Sequence, residues 1–366
     1  GIETEYGITR DDVPDMDSVV ESMELVRAHL AASFERRWDY AGEDPHEDAR
    51  GFRVSGLQQD KEEDEFARRD AHRPFSFHDM KSDLVLPNGA RFYNDHTHPE
   101  YSTSECRTLR DLVAQDRAGE RIVHRAAQRR NEGLGGAHVR LYKNNTDFHG
   151  HSYGCHDNYP VPRAVPFPAL VAGMVPFLVS RQVVAGAGKV GTEAQESPYV
   201  PGPYQISQRA DFMEAVLGVD TMHNRPILNT RDEPHADRQR YRRLHLIIGD
   251  ANMCEYAPAL KVGTTQLVLD VIAREAAPDL ELEQPVAAVK QISRDPDLKL
   301  VVRRKNGRTI APVDIQVQYY EAAKRTLSGR DAESDWILRE WSETLQLLVQ
   351  NRQQLVGKLD WVTKQW

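Results

Sequence analysis

Apolar and polar positions alternate at two places along the chain in the manner of half-buried strands. Residues 1–8 read Gly-Ile-Glu-Thr-Glu-Tyr-Gly-Ile, and residues 84–95 pass through a Pro-Asn-Gly turn into Arg91-Phe-Tyr-Asn-Asp95. Side chains two apart on a strand share a face, so Glu3 joins Glu5, and Arg91, Tyr93 and Asp95 line one side while Phe92 and Asn94 take the other. Apolar residues at helical spacing predict helices over 16–38, 108–131, 260–277, 313–327 and 332–366, the last packed through Trp336, Trp341, Leu345, Leu348 and Leu355. Residues 169–182 have the apolar density of a buried helix, 137–144 read as a further strand, and 299–309 as a hairpin about Asn306-Gly307. The proline-rich stretch 160–168 is expected to break regular structure. Residues 186–191, Gly-Ala-Gly-Lys-Val-Gly, lack the spacing of a phosphate loop and predict a flexible loop instead. Residues 53–81 are rich in Asp, Glu, Arg and Lys and poor in aliphatics, which predicts a mobile loop with one helical turn, placed to gate a site.

Composition narrows the class. The 366 residues carry a formal charge of -9 and are 40% hydrophobic, enough for a sizeable core. The sequence suggests no apolar run that would span a bilayer, and net acidity argues against nucleic acid as the main partner. Local basic runs at 121–130 and 238–243 offer docking points for an acidic partner, although a solvated helix face explains the first better. Cys106, Cys155 and Cys254 form no paired spacing, so neither a disulfide framework nor a zinc site is expected, and a reducing cytoplasm suits the chain. Gly1 opens directly on a motif with no signal-type segment, which suggests that a few natural residues precede it.

The chemistry concentrates in the two acidic strands. Burying like charges side by side is costly unless a cation or a shared proton compensates them. Glu3 and Glu5, with Tyr93, Asp95, Glu100 and Glu105, offer oxygen donors of the kind Mg²⁺ takes when it shares nucleotide phosphates, while Arg91 and Thr103 are suited to phosphate oxygens. Further along, Ser152-Tyr-Gly-Cys-His156-Asp-Asn158 supplies an imidazole and an amide, and Arg243 and His245 alternate onto one face of a strand that then runs apolar. Each histidine alone would more often be a core histidine. Together with the acidic strands, they favour a nucleotide and metal site on a sheet.

These motifs, with Lys143-Asn-Asn-Thr-Asp, Gln205-Ile-Ser-Gln-Arg-Ala-Asp and Asn229-Thr-Arg-Asp-Glu-Pro-His-Ala-Asp, resemble the Pup ligase and depupylase family of the glutamine synthetase-like carboxylate-amine ligase superfamily. The resemblance runs from Gly1 to about Trp361. It implies an α+β, glutamine synthetase-like fold, a curved antiparallel sheet with flanking helices, carrying ATP and Mg²⁺ on its concave face. It also implies that Glu3, Tyr93, Glu100, His156 and His245 hold Mg²⁺, that Arg91, Thr103, Asn158 and Arg243 lie near the nucleotide, and that Asp95 is catalytic. Strand spacing adds Glu5 to the metal face, and Arg209 is a candidate for phosphate or the Pup glutamate. A carboxylate beside Mg²⁺ and phosphate stays ionised and acts as nucleophile or general base; the sequence leaves that choice open.

Within the family, ligases join the C-terminal glutamate of the prokaryotic ubiquitin-like protein Pup to a substrate lysine, whereas depupylases cleave that isopeptide bond and deamidate a C-terminal glutamine. Asp95-His-Thr-His-Pro-Glu100 resembles the depupylase version, ligases resembling it with one more residue between the acids. A polar insertion at about 38–82 and Lys143-Asn-Asn-Thr-Asp147 point the same way. Ser104-Glu-Cys-Arg-Thr-Leu, Ala251-Asn-Met-Cys-Glu-Tyr and Leu260-Lys-Val-Gly-Thr-Thr look more like the ligase. The expected activity is depupylation and Pup deamidation, acting on Pup or a divergent equivalent and on pupylated proteins. The ligase is the alternative, and a catalytically silent nucleotide-binding homologue a third. Residues 1–366 are expected to form the catalytic domain. The resemblance also implies a small C-terminal domain contributing to nucleotide and modifier binding, and the sequence stops at Trp366 before it.

Overall fold

The computed structural model describes residues 1–29, 38–57, 71–194 and 197–366. Its centre is an eight-stranded sheet built from β1 (Ile2–Glu5), β2 (Leu84–Val85), β3 (Arg91–Asp95), β4 (His98–Ser102), β5 (Cys155–Pro162), β6 (Ala215–Gly218), β7 (Pro226–Asn229) and β8 (Tyr241–Leu246), in the order β6-β7-β8-β5-β1-β4-β3-β2. Neighbours run antiparallel except β6 and β7, which are parallel, so the expected antiparallel sheet is mixed at one edge.

Register sets the chemistry. Glu3 lies between Ser102 and His156, Glu5 opposite Glu100, Tyr93 opposite Glu100, and His245 opposite Asn158. Because period two puts alternate residues on opposite faces, Ile2, Cys155, Tyr159, Val161, Leu244 and Leu246 join one buried core while their polar neighbours face the other way. The alternation read for β3 holds: Phe92 is buried in a second core with Tyr101 and with helices Ser18–His29 and Leu109–Glu132. Thr108 caps the latter helix by accepting from the Asp111 amide.

Helix Phe167–Ala185 runs through the larger core against helices Tyr256–Ala273 and Pro312–Leu327. Contrary to the sequence expectation, it is long and apolar enough to cross a bilayer by length and composition. Here it is a core helix whose polar residue is satisfied inside: the Arg181 guanidinium donates to Asp157 at 2.6 and 3.0 Å and to Thr265 at 2.9 Å. Trp341 and Trp361 are fully buried, as packing residues should be.

Other expectations shift. Residues 332–366 form not one helix but Ala332–Gln350, a 3₁₀ turn and Asp360–Gln365. The stretch 186–191 is no flexible loop: Lys189 begins a strand, Lys189–Ala194, and its ammonium is buried against Glu193 (3.2 Å) and Asp211 (3.0 Å). Gly188 takes φ of 72°, which glycine alone adopts readily, and a Cβ there would meet the Tyr204 hydroxyl at 1.9 Å. Strand β5 continues through Pro160 and Pro162. Beyond Asn158 it is paired through β8 alone, and the open side tolerates a missing amide. The hairpin at 299–309 forms as Val302–Arg303 against Thr309–Ile310.

The polar insertion is built, in its described residues, of short elements. It contributes a 3₁₀ turn at Tyr40–Gly42, a short hairpin of Glu47–Asp48 and Phe52–Arg53, and a helix, Phe77–Lys81, closed by a capping box between Ser76 and Asp79. The hairpin is tied to residues after β7, the Thr230 hydroxyl donating to Asp48 at 2.7 Å. The expected mobility of 58–70, and the last turns of the helix predicted over 16–38, lie outside the described residues.

Candidate active site

The polar face of the sheet opens onto a cavity of about 870 Å³. Twelve of the thirteen residues singled out by sequence line its interior: Glu3, Glu5, Arg91, Tyr93, Asp95, Glu100, Thr103, His156, Asn158, Arg209, Arg243 and His245. Glu105 reaches its exposed rim.

The acids and imidazoles fall into two groups whose ligand atoms lie within 4.8 Å of one another: Glu3, His156 and His245, and Glu5, Asp95 and Glu100. His156 stands between them, 3.3 Å from Glu3 through Nδ1 and 4.0 Å from Glu5 through Nε2. Gly154 makes this approach possible, since a Cβ there would lie 2.1 Å from the His156 ring and 2.8 Å from Glu5. The glycine of the Ser-Tyr-Gly-Cys-His motif is therefore a packing requirement of the site.

The electrostatics of the two groups differ. Burial disfavours a charge on Glu3, but the Arg243 guanidinium, donating at 2.7 Å, and the two imidazoles hold its carboxyl well below the ordinary range. Burial, with Arg243 next, lowers His245 to about 3, so its imidazole is neutral at physiological pH. Its Nδ1 and Nε2 are both buried without a hydrogen-bond partner, Glu3 standing 3.5 Å from Nε2. Glu100 is driven the other way: burial, then the charges of Asp95, Glu3 and Glu5, raise its carboxyl well above the usual value. Neutral orphaned imidazole nitrogens and crowded carboxylates are what a divalent cation satisfies.

Asp95 is ionised despite its burial, because the Lys81 ammonium donates to it at 2.5 Å. Tyr93 faces the cavity, but burial and the adjacent Glu100 raise its phenol far above the ordinary value, so it presents a hydroxyl rather than an anionic ligand. Arg91 is fully engaged: it pairs with Asp83 at 2.7 Å, donates to the Tyr40 hydroxyl at 2.6 Å and stacks between Tyr93 and Trp38 at 3.7 and 4.8 Å. Asn158 accepts from Arg243 at 2.7 Å, and the Thr103 hydroxyl accepts from the Ile2 amide at 3.0 Å. Arg209 lies deep in the wall, donating to Ser152 and the Tyr153 carbonyl.

Sequence reasoning missed part of the wall. Lys81, His98, Arg225, Arg231 and Glu233 line the same cavity, as do Trp38 and Tyr40 of the insertion. Arg231 and Glu233 stood inside the Asn229-Thr-Arg-Asp-Glu motif and were discoverable there; Lys81 carries no local signal. The 121–130 and 238–243 basic runs divide: Arg130 pairs with buried Glu21 and Arg243 enters the site, while Arg238 pairs with Glu47.

The chain is 43% identical to a depupylase of Acidothermus cellulolyticus and 42% identical to a Pup deamidase/depupylase of Mycolicibacterium smegmatis, in each case over all of this chain and 72% of the relative. A Pup–protein ligase of Acidimicrobium ferrooxidans is 46% identical over 82% of this chain and 67% of its own length. The crystal structure of the complex between Pup and its ligase PafA superimposes with a TM-score of 0.77 at 33% identity, covering all of this chain and 66% of that one. The family model described as Pup-ligase protein matches residues 1–366, and the chain belongs to that family.

Proposed function

We propose that this protein is an ATP- and Mg²⁺-dependent depupylase and Pup deamidase. On this reading it hydrolyses the isopeptide bond between the C-terminal glutamate of Pup and a substrate lysine, and converts a C-terminal glutamine of Pup to glutamate. The observation that carries the reading is Asp95, an ionised carboxylate that belongs to one of the two groups of candidate ligands in the cavity, in a chain whose whole length matches depupylases. Nucleotide binding is supported by a 38% identical ligase structure solved in complex with ADP, with a TM-score of 0.72.

The residues fit the cations. Glu5, Asp95 and Glu100 form an all-oxygen set suited to Mg²⁺, whereas Glu3, His156 and His245 mix oxygen with imidazole, which suits Mn²⁺ as well. A bound divalent ion would polarise phosphate and carbonyl oxygens. The chain itself supplies the rest. Arg243 orients Glu3 and Asn158, Arg209 and Arg225 place positive charge at the far wall, and Asp95 is available to attack the carbonyl carbon or to take a proton from water. In hydrolysis the C–N bond breaks, water supplies the hydroxyl that the carbonyl carbon gains, directly or by opening an acyl-Asp95 anhydride, and the lysine nitrogen leaves as the amine with the other proton of that water.

The ligase is the second reading, favoured by the 46% identity to a ligase and by the ligase superpositions. Incubation with Mg-ATP and a Pup-conjugated protein separates the two: release of free Pup is expected, while new conjugate from free Pup and a lysine-bearing acceptor would establish the ligase instead. Asp95→Asn is expected to lower turnover at least about 10³-fold with the fold intact. Full turnover in that variant would refute the catalytic role.

A further inference from the structure

The short helix Phe77–Lys81 ends against the site. Ser82 caps it in the left-handed region at φ 47°, and its hydroxyl donates to the Asp79 carbonyl at 2.7 Å, so the last residue is fixed in direction. That residue is Lys81. Its side chain, only 18% exposed, enters the cavity and lays its ε-ammonium on Asp95 Oδ1 at 2.5 Å, 5.8 Å from the centre of the Tyr93 ring. A protein acting at the ε-nitrogen of a lysine thus already holds a lysine ε-nitrogen of its own on the carboxylate that does the chemistry.

We propose that Lys81 occupies the lysine subsite in the resting enzyme, as an internal stand-in for the substrate lysine that a conjugate must displace. This rests on the depupylase and deamidase reading. The two reactions share Asp95 but differ in what leaves. The isopeptide carries a lysine side chain out of the cavity, and that side chain needs the space beside Asp95 that Lys81 takes up. A C-terminal glutamine ends at its amide nitrogen, which leaves as ammonia, so it needs less of that space. Lys81 therefore favours small leaving groups over conjugates. A conjugate binds only the fraction of molecules in which Lys81 has withdrawn; if Lys81 covers Asp95 about 90% of the time, apparent affinity is weakened about tenfold.

The test compares wild type with Lys81→Ala, which removes both the stem and the charge, and Lys81→Arg, which keeps a cation against Asp95. KM is measured for a Pup conjugate and for Pup ending in glutamine, and the Kd of Nα-acetyl-lysine amide is measured without turnover by NMR. Lys81→Ala is expected to lower the lysine-amide Kd about tenfold and the ratio of the conjugate KM to the glutamine KM about tenfold, whatever the lost charge does to kcat on both substrates, and Lys81→Arg to keep the wild-type ratio. Equal changes in both KM values, no change in either, or a parallel loss of kcat with constant KM would overturn the proposal; the last would make Lys81 a positioning group for Asp95. Wild type that processes neither substrate would refute the depupylase reading itself, and the lysine-amide Kd would still decide whether Lys81 fills a lysine subsite.

Discussion

Replacing Glu100 by Gln is expected to stabilise the cation-free protein and to remove most of its stabilisation by Mg²⁺. Glu100 is 2% exposed, and its ligand oxygen lies within 4.8 Å of those of Glu5 and Asp95. At that separation two unit charges repel by about 3.5 kcal/mol for an effective dielectric of about 20. Lys81 offsets part of the charge on Asp95, so about one such pair is left as the net cost. A carboxyl whose folded pKa is raised carries no penalty below its unfolded value and a growing one as pH rises toward the folded value. The amide carries none at any pH. With an unfolding entropy of about 2.1 cal/mol/K per residue over 366 residues, 3.5 kcal/mol corresponds to about 5 °C in Tm. Calorimetry in EDTA should therefore show the variant melting close to wild type at pH 5 and up to about 5 °C above it at pH 8. With Mg²⁺ at about 100 times its Kd the wild type gains about 2.7 kcal/mol, and the variant far less. A variant that matches wild type in EDTA at pH 8, or that Mg²⁺ stabilises equally, would refute the account of crowded carboxylates awaiting a cation.

Arg181→Met leaves Asp157 charged and buried without its partner, and is expected to cost about 3–5 kcal/mol in urea unfolding, most of it recovered in the double variant Arg181→Met, Asp157→Leu. A single-variant loss under about 1 kcal/mol would show that the pair is not needed. His245, held to about 3 by burial, should show no imidazole titration by NMR between pH 5 and 8. Because the unfolded chain takes up this proton below about 6.5 and the folded one refuses it, stability should fall with acidification by up to about 1.4 kcal/mol per pH unit from this residue, and His245→Gln should lack that contribution. A normal titration near 6.5 would mean that the imidazole is open to water.

The sequence by itself determined which side chains share a face. Glu3 with Glu5, Arg91 with Tyr93 and Asp95, and Arg243 with His245 follow from the period of two in an extended strand, a local property that needs no knowledge of the fold. The order of the motifs then carried the family. Helices such as Pro312–Leu327 were legible because an apolar stripe at 3.6-residue spacing is equally local. Tertiary structure alone decided which faces meet. Pairing β1 between β4 and β5 divides the acids and imidazoles into two groups bridged by His156, and no spacing along the chain encodes that register. It also made Lys189, in a stretch that reads as a loop, the buried first residue of a strand, since its ammonium finds Glu193 and Asp211 only after folding. Lys81 is the plainest case: 14 residues before Asp95 and outside every motif, it reaches the Asp95 carboxylate because a capped turn of helix aims it there. Electrostatics depend on distance through space and on the water excluded from between the charges, and both are fixed only when the chain has packed.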